Sequence, residues 1–202
     1  VAQERNEPLA GLTVRAFIEE VASRSSAPGG GSASAAIAAM GAGLGAMVGK
    51  LTYGVRKFDS VDGRMRQSIP ALHHAAAQLI PLIDADTTAF NDFMEALRLP
   101  KKTDAERALR TERMQAGLKQ AIDIPLTTMK IADGAWDALC EVARYGNPAS
   151  WSDVAVAARA LETGIWGAYK NVMINMTDIT DEAFKSAICK EASGLLERAK
   201  EK

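Results

Sequence analysis

The chain has 202 residues, 24 Lys plus Arg against 25 Asp plus Glu, and a formal net charge of -1. That length suits one domain over residues 1–202 with ample core, and 48% hydrophobic with 24% charged residues excludes a disordered chain. The even charge balance argues against a general nucleic-acid or membrane-surface binder, since both need a basic excess.

The hydrophobic share is built unusually: 37 residues are Ala and only 5% are aromatic. Small straight-sided residues favour closely packed helices over sheets. The two cysteines, Cys140 and Cys189, lie far apart without CxxC or His-rich neighbours. Neither a disulfide nor a zinc site is expected, and the compartment expected is the reducing cytoplasm. Residues 1–8 are polar and of mixed charge, unlike a signal peptide, and segment 1–11 is expected to be flexible. The absent initiator Met fits a processed chain or one domain of a longer protein.

In chain order, Thr13 can cap a helix to about residue 24, with Val14, Phe17, Ile18 and Val21 on one face. The turn Ser25-Ser26-Ala27-Pro28-Gly29-Gly30-Gly31 leads into an Ala/Gly helix from about 32 to 52, which Gly54 ends. Residues 25–49 carry no charge and are long enough to cross a bilayer. Gly, Ala and Ser insert weakly, however, so a buried soluble helix and no membrane span is the reading. Gly41, Gly45 and Gly49 recur every four residues and let another backbone approach. A helical region follows from about Asp62, where Pro70 and Pro81 predict kinks or fresh helix starts.

Leu99-Pro100-Lys101-Lys102 breaks this region, and Thr103 with Glu106 forms a capping box for a charged surface helix over about 104–122. Pro125 suits the first turn of another helix, which runs to Tyr145 and stops at Gly146-Asn147-Pro148. The helix over about 152–176 is apolar almost all round, so it belongs at the centre or in a subunit interface. Thr180 is expected to cap the last helix. With no alternating strand pattern, the fold class is all-α: a single-domain bundle with Pro-kinked helices.

The most informative residues lie between Leu79 and Leu97. Positions 79, 82, 83, 86, 90, 93, 94 and 97 share one helical face, and all are apolar except Asp86. Asp84 points nearly the other way, with Thr87 and Thr88, and reads as solvated. An unpaired buried carboxyl holds its proton more tightly and can serve as a general acid. The structural alternative is that Asp86 pairs with a basic residue or caps a neighbouring helix.

The turn Pro28-Gly29-Gly30-Gly31-Ser32 opens a helix and so presents backbone N–H groups to an anion or a flat ligand. A flexible cap is the other reading, and the GKS/T ending of a phosphate loop is missing. Asn171 and Asn175, one turn apart on the apolar helix, can contact a ligand or bond helix to helix. Lys50, Thr52 and Tyr53 face either a cavity or solvent. His73 and His74 have no partners at metal spacing, so no metal is expected. The basic pairs Arg56-Lys57 and Lys101-Lys102 read as solvated.

Five segments, Ala27-Pro-Gly-Gly-Gly-Ser32, Lys50-Leu-Thr-Tyr-Gly54, Asp84-Ala-Asp-Thr-Thr-Ala-Phe90, Gly167-Ala-Tyr-Lys-Asn-Val172 and Asp178-Ile-Thr-Asp-Glu-Ala-Phe184, make the chain resemble the formimidoyltetrahydrofolate cyclodeaminase family. That family includes serine-cycle methenyltetrahydrofolate cyclohydrolases, and the resemblance covers roughly residues 12–200. The likeness is strongest to the C-terminal cyclodeaminase domain of bifunctional members. It implies a dimerising helical domain with a folate cleft at the glycine turn, and its catalytic acid falls on Asp86. It further implies a tetrahydrofolate substrate, in polyglutamylated form, with no cofactor, and a possible fused formimidoyltransferase domain. Two rival readings are a cyclohydrolase in the same cleft and a non-catalytic module docking through the 152–176 helix.

Overall fold

The structure, a computed structural model, describes residues 7–202, so most of the segment expected to be flexible lies outside the described residues. Among the described residues all regular structure is helical, in agreement with the all-α reading. The helices are α1 (Val14–Val21), α2 (Gly30–Thr52), α3 (Asp62–Arg98), α4 (Asp104–Gly134), α5 (Trp136–Tyr145), α6 (Trp151–Asn175) and α7 (Glu182–Glu201). Short 3-10 segments sit at Leu9–Gly11, Arg56–Val61, Pro148–Ser150 and Met176–Asp178.

Several boundaries follow from local chemistry. Thr13 accepts from the Ala16 N–H at the start of α1, and the Thr103/Glu106 capping box opens α4 as expected. Gly54 adopts φ +73, a conformation that favours glycine, and so ends the run of α2. The last helix departs from expectation, because Asp181 and not Thr180 caps it through the Phe184 N–H at 3.0 Å. Thr180 instead donates its N–H and hydroxyl to Gln115 Oε1.

The prolines break less than expected. Pro70 and Pro81 lie inside a continuous α3, and Arg66 and Ala77, whose carbonyls they leave without a helical donor, are exposed to water. Pro125 does not start a helix but lies within α4. Its missing N–H frees the carbonyl of Ala121, and Asn175 Nδ2 of α6 donates to that oxygen at 3.2 Å. The break falls instead at Gly134 and Ala135, after which Trp136 turns into the core.

The helices α2, α3, α4 and α6 form a four-helix core in which α2 lies between α3 and α6, with α4 opposite. Asp86 of α3 meets Gly31, while Leu72 meets Gly45 and Ile69 meets Gly49, so α2 and α3 run antiparallel. On the other side, Ser34 faces Gly167, Ala38 faces Gly164, and Gly41 faces Ala157 and Leu161, so α6 is antiparallel to α2 as well. A Cβ on Gly41 would stand 2.9 Å from the Ala157 carbonyl, and one on Gly164 3.0 Å from the Ser34 carbonyl. Backbones therefore approach closely at both points. Gly45 and Gly49 leave room for side chains instead.

Leu72, Leu79, Ile122, Leu126, Met129, Leu161, Ile165 and Val172 fill the centre. The abundance of alanine is thus explained. A buried Ala contributes little transfer energy by itself, and dense helix contact makes up the difference. By length and composition α2 could cross a membrane, yet two of its faces are covered by α3 and α6.

The N-terminal segment is packed where it is described. Leu9 is buried, and Asp84 accepts the N–H groups of Leu9 and Ala10, the latter at 3.1 Å. Asp84 is therefore not a solvated residue, as its position on α3 had implied. It caps the turn at Leu9–Gly11. Phe17 of α1 packs against the small cluster of Leu9, Ala35 and Ile83.

Candidate active site

Antiparallel packing brings Asp86, near the middle of α3, onto the first turn of α2. Gly29 is the N-cap of α2 and offers no side chain to its free N–H groups. Asp86 does so from the neighbouring helix: its Oδ2 accepts the Ser32 N–H at 2.8 Å and the Ser32 hydroxyl at 3.1 Å. Ser32 Oγ lies 3.2 Å from Thr87 Oγ1, which extends the chain of bonds to a second side chain of α3. The capping alternative for Asp86 is thus realised. A basic partner is absent among the described residues.

Two influences act on this carboxyl. Burial raises its proton affinity, and the two bonds from Ser32 lower it. Burial dominates, so the pKa lies above the ordinary carboxylate value. The two oxygens differ: Oδ2 takes both Ser32 donors, whereas Oδ1 has no hydrogen-bond partner among the described residues. A proton on Asp86 therefore belongs on Oδ1. The carboxyl fills the space a side chain at position 31 would need, because a Cβ there would stand 2.0 Å from Oδ1.

The other sequence-predicted residues divide into three groups. Pro28, Gly31 and Ser32 are buried, and Gly29 is partly buried; the peptide bond from Ala27 to Pro28 is cis. Gly31 makes room for Asp86 and Ser32 holds it, so these two reach a ligand only through the carboxyl. Gly30 is exposed, and a Cβ on it would stand 3.1 Å from Asn171 Nδ2. Asn171 donates to the Gly167 carbonyl at 2.8 Å, and its Oδ1, beside the turn, has no hydrogen-bond partner among the described residues. Asp86, the turn and Asn171 are thus brought together.

Asn175 and Lys50 are not. The Asn175 amide donates to the Ala121 and Asn171 carbonyls and is occupied by the repair of α4 at Pro125. Lys50 is exposed near the far end of α2, 19 residues from Gly31, or ~28 Å along the axis at helical rise. Thr52 is buried in structural bonds to Val48 and Asn147, and Tyr53 receives Arg66 at 3.0 Å. His73 and His74 are exposed.

Sequence reasoning missed three supports. Thr87 was placed with Asp84 on the opposite face, but the end of α2 is broad enough to meet positions 86 and 87 together. Ser34 donates to the Gly30 carbonyl and fixes the turn. Gly167 is required beside it, since a Cβ there would fall 2.2 Å from Ser34 Oγ. Its place four residues before Asn171, on an otherwise apolar helix, was the available signal.

Fold and site together define a helical domain that sets a carboxyl of raised proton affinity at a glycine-lipped helix start, beside the exposed Gly30 and the half-buried Asn171. Residues 13–194 match the family model described as formiminotransferase-cyclodeaminase. The chain is 50% identical over 194 residues to the formimidoyltransferase-cyclodeaminase of Rattus norvegicus, covering 96% of this chain and 36% of that protein. It is 36% identical over 187 residues to the methenyltetrahydrofolate cyclohydrolase of Methylorubrum extorquens, covering 93% of this chain and 90% of that one. The crystal structure of formiminotetrahydrofolate cyclodeaminase from Thermotoga maritima superposes with a TM-score of 0.80 at 26% identity, over 94% of both chains. The chain belongs to the formiminotransferase-cyclodeaminase family, as its cyclodeaminase domain. It spans about a third of the length of the bifunctional relatives it matches.

Proposed function

We propose that this domain converts 5-formimidoyltetrahydrofolate to 5,10-methenyltetrahydrofolate and ammonia, with Asp86 as proton donor, in histidine breakdown and one-carbon folate metabolism. The substrate carries its nucleophile, since N10 attacks the amidine carbon intramolecularly and the protein need only hold the molecule folded. The new N10–carbon bond forms as the N10 proton passes to the former imine nitrogen. Asp86 Oδ1 then protonates that nitrogen, the carbon–nitrogen bond breaks, and ammonia leaves. The methenyl carbon becomes cationic, and the Asp86 carboxylate left behind stabilises it electrostatically. Solvent returns the proton.

The observation that carries this reading is the unbonded Oδ1 of a carboxyl whose burial raises its proton affinity, placed at the open glycine turn. A general acid of this kind supplies ~10²–10⁴-fold in rate. Gly30 and Asn171 would contact the ligand; Pro28, Gly29, Gly31 and Ser32 would shape that edge. The relatives' bifunctional architecture supports a neighbouring transferase domain and a polyglutamylated substrate, and the domain would act in the cytoplasm as a homodimer or higher assembly. Asp86→Asn keeps size and both Ser32 bonds but has no acid to give. Folded Asp86→Asn protein that still releases ammonia at the parent rate overturns the assignment.

A second reading is hydrolysis of the methenyl bridge by water, favoured by the likeness to the Methylorubrum extorquens protein over most of its length. Ammonia released from formimidoyltetrahydrofolate separates the two. A purely non-catalytic docking module should bind no folate in calorimetry.

A further inference from the structure

Asp86 and Thr87 are consecutive on α3 and leave the helix about 100° apart, yet both side chains reach Ser32 of α2. A threonine inside a helix commonly gives its hydroxyl proton to the carbonyl four residues earlier. Thr52, Thr88, Thr111 and Thr128 do so here, at 2.8, 3.0, 2.9 and 3.2 Å. Thr87 instead places its Oγ1 3.2 Å from Ser32 Oγ. Ser32 departs from the pattern as well. Ser34 bonds back to the Gly30 carbonyl, whereas Ser32 turns its hydroxyl across to α3.

Counting protons fixes the direction of this chain. A hydroxyl has one proton to give and two lone pairs with which to receive. Ser32 is fully buried, so its hydroxyl is shielded from solvent, and its proton goes to Asp86 Oδ2 at 3.1 Å. The contact with Thr87 therefore runs from Thr87 as donor to Ser32 as acceptor. Oδ2 also accepts the Ser32 N–H at 2.8 Å, a donor fixed by the backbone. An oxygen that faces two donors is the less basic of the pair, which leaves the carboxyl proton to Oδ1.

We propose that Thr87 is a positioning residue: by donating to Ser32 Oγ it holds the single Ser32 hydroxyl proton on Asp86 Oδ2 and so reserves Oδ1 for the proton delivered to substrate. The inference rests on the reading of Asp86 as the acid. Without the Thr87 donor, the Ser32 hydroxyl is released to turn toward the Pro28 carbonyl, four residues back, as Ser34 does toward Gly30. Oδ2 then keeps one donor, the preference for Oδ1 weakens, and the carboxyl holds its proton more tightly.

Charged neighbours do not supply this control. Burial and the two Ser32 bonds account for the Asp86 proton affinity, without a charged group among the causes. Residues 25–49, which include the part of α2 before Lys50, carry no charge. On α3, Asp84 is engaged with the N–H groups of Leu9 and Ala10. On α6, Lys170 lies over the Trp166 and Tyr169 rings. On α4, Lys119 is paired with Asp181 and Asp123 is exposed.

The test is a double-mutant cycle on the 202-residue chain, read as ammonia release from 5-formimidoyltetrahydrofolate across pH. Thr87→Val keeps the side chain's shape and removes the donor; Thr87→Ala does the same in a smaller side chain and serves if Thr87→Val fails to fold. A single neutral hydrogen bond sets a preference of roughly 2–10-fold, so kcat on the acidic plateau should fall by that factor with KM little changed. The high-pH limb should move up by about 0.3–1 unit, so that parent and variant profiles converge at high pH. Thr87→Ser, which restores the hydroxyl, should return both features to the parent's. In the Ser32→Ala background Thr87→Val should change neither, because Thr87 acts through Ser32. Carboxyl ¹³C NMR of the ligand-free protein is independent of turnover: Asp86 should titrate higher in Thr87→Val than in the parent or Thr87→Ser. An unchanged titration, a kcat loss equal at every pH, or a Thr87→Val effect undiminished in the Ser32→Ala chain overturns the proposal. Asp86→Asn protein with the parent's rate overturns the acid instead, and the titration alone then decides whether Thr87 directs the Ser32 proton.

Discussion

Replacing Gly31 with alanine tests whether the acid is placed by the shape of the glycine turn. The added methyl would stand 2.0 Å from Asp86 Oδ1, 2.4 Å from Cγ and 2.6 Å from Oδ2, where ordinary contacts lie at 3.4–4 Å. Gly31 is fixed within α2, so the carboxyl must yield by at least about 1.4 Å. Its bonds to Ser32, now 2.8 and 3.1 Å, then stretch beyond hydrogen-bonding range. A misplacement of about 1 Å costs ~10²-fold in rate, so turnover should fall by at least that factor. Stability should change far less. Two lost bonds cost ~1 kcal/mol each, against which alanine in a helix regains about 0.5–1 kcal/mol over glycine. Initial rates of methenyl product and ammonia formation, with thermal melts on the same samples, separate the two effects. Gly63→Ala, whose Cβ meets nothing within 4 Å, is the neutral control. Gly31→Ala combined with Asp86→Asn should be no slower than Asp86→Asn alone, since both act on one group. A Gly31→Ala chain with the parent's rate and the parent's melting temperature would refute the reasoning.

Three further outcomes follow from the same geometry. Ser32→Ala removes the hydroxyl bond that lowers the Asp86 pKa and leaves burial in place, so the high-pH limb of the kcat profile, where the acid loses its proton, should move to higher pH. Because the folded-state pKa of Asp86 is raised, its contribution to stability is greatest at low pH and declines as pH rises through that pKa; Asp86→Asn should therefore gain in melting temperature relative to the parent as the pH increases. Asn175→Ala exposes the repair at Pro125: with the Ala121 carbonyl left unsatisfied, denaturant melts should show a loss of roughly 1–3 kcal/mol without a change in KM.

How far the sequence could be read depended on whether a signal was local. The Thr13 cap, the Thr103 box and the stop at Gly54 rest on chemistry within a few residues, and all three hold. Expectations failed where a distant side chain intervened. Pro125 reads as a helix start because a proline inside a helix leaves a carbonyl without its donor; Asn175, fifty residues later, supplies that donor. Asp84 reads as solvated from its place on α3, but the turn at Leu9–Gly11 folds back over it. Thr180 and Asp181 are both competent caps in sequence, and Gln115 decides between them by occupying Thr180. The glycine turn and Asp86 were each legible as candidates. Their meeting was not, because it depends on the register of two antiparallel helices.

That meeting also bears on whether a residue that caps a helix can serve as an acid. A carboxylate at a helix N-terminus is stabilised by the free N–H groups and the helix dipole, which favours the charged form and opposes proton storage. Here the cap engages Oδ2 alone, through one backbone and one hydroxyl donor, and leaves Oδ1 against the bare Cα of Gly31. The carboxyl is held at one oxygen and, among the described residues, unbonded at the other, while burial keeps its proton affinity above the ordinary value. An aspartate in a conventional N-cap, on the same helix and open to water, would lack the burial that raises this proton affinity. Supplying the cap from α3 would make anchoring compatible with the proposed proton donation in one side chain, and it explains why the turn needs glycine at position 31 rather than a side chain that would fill the carboxyl's place.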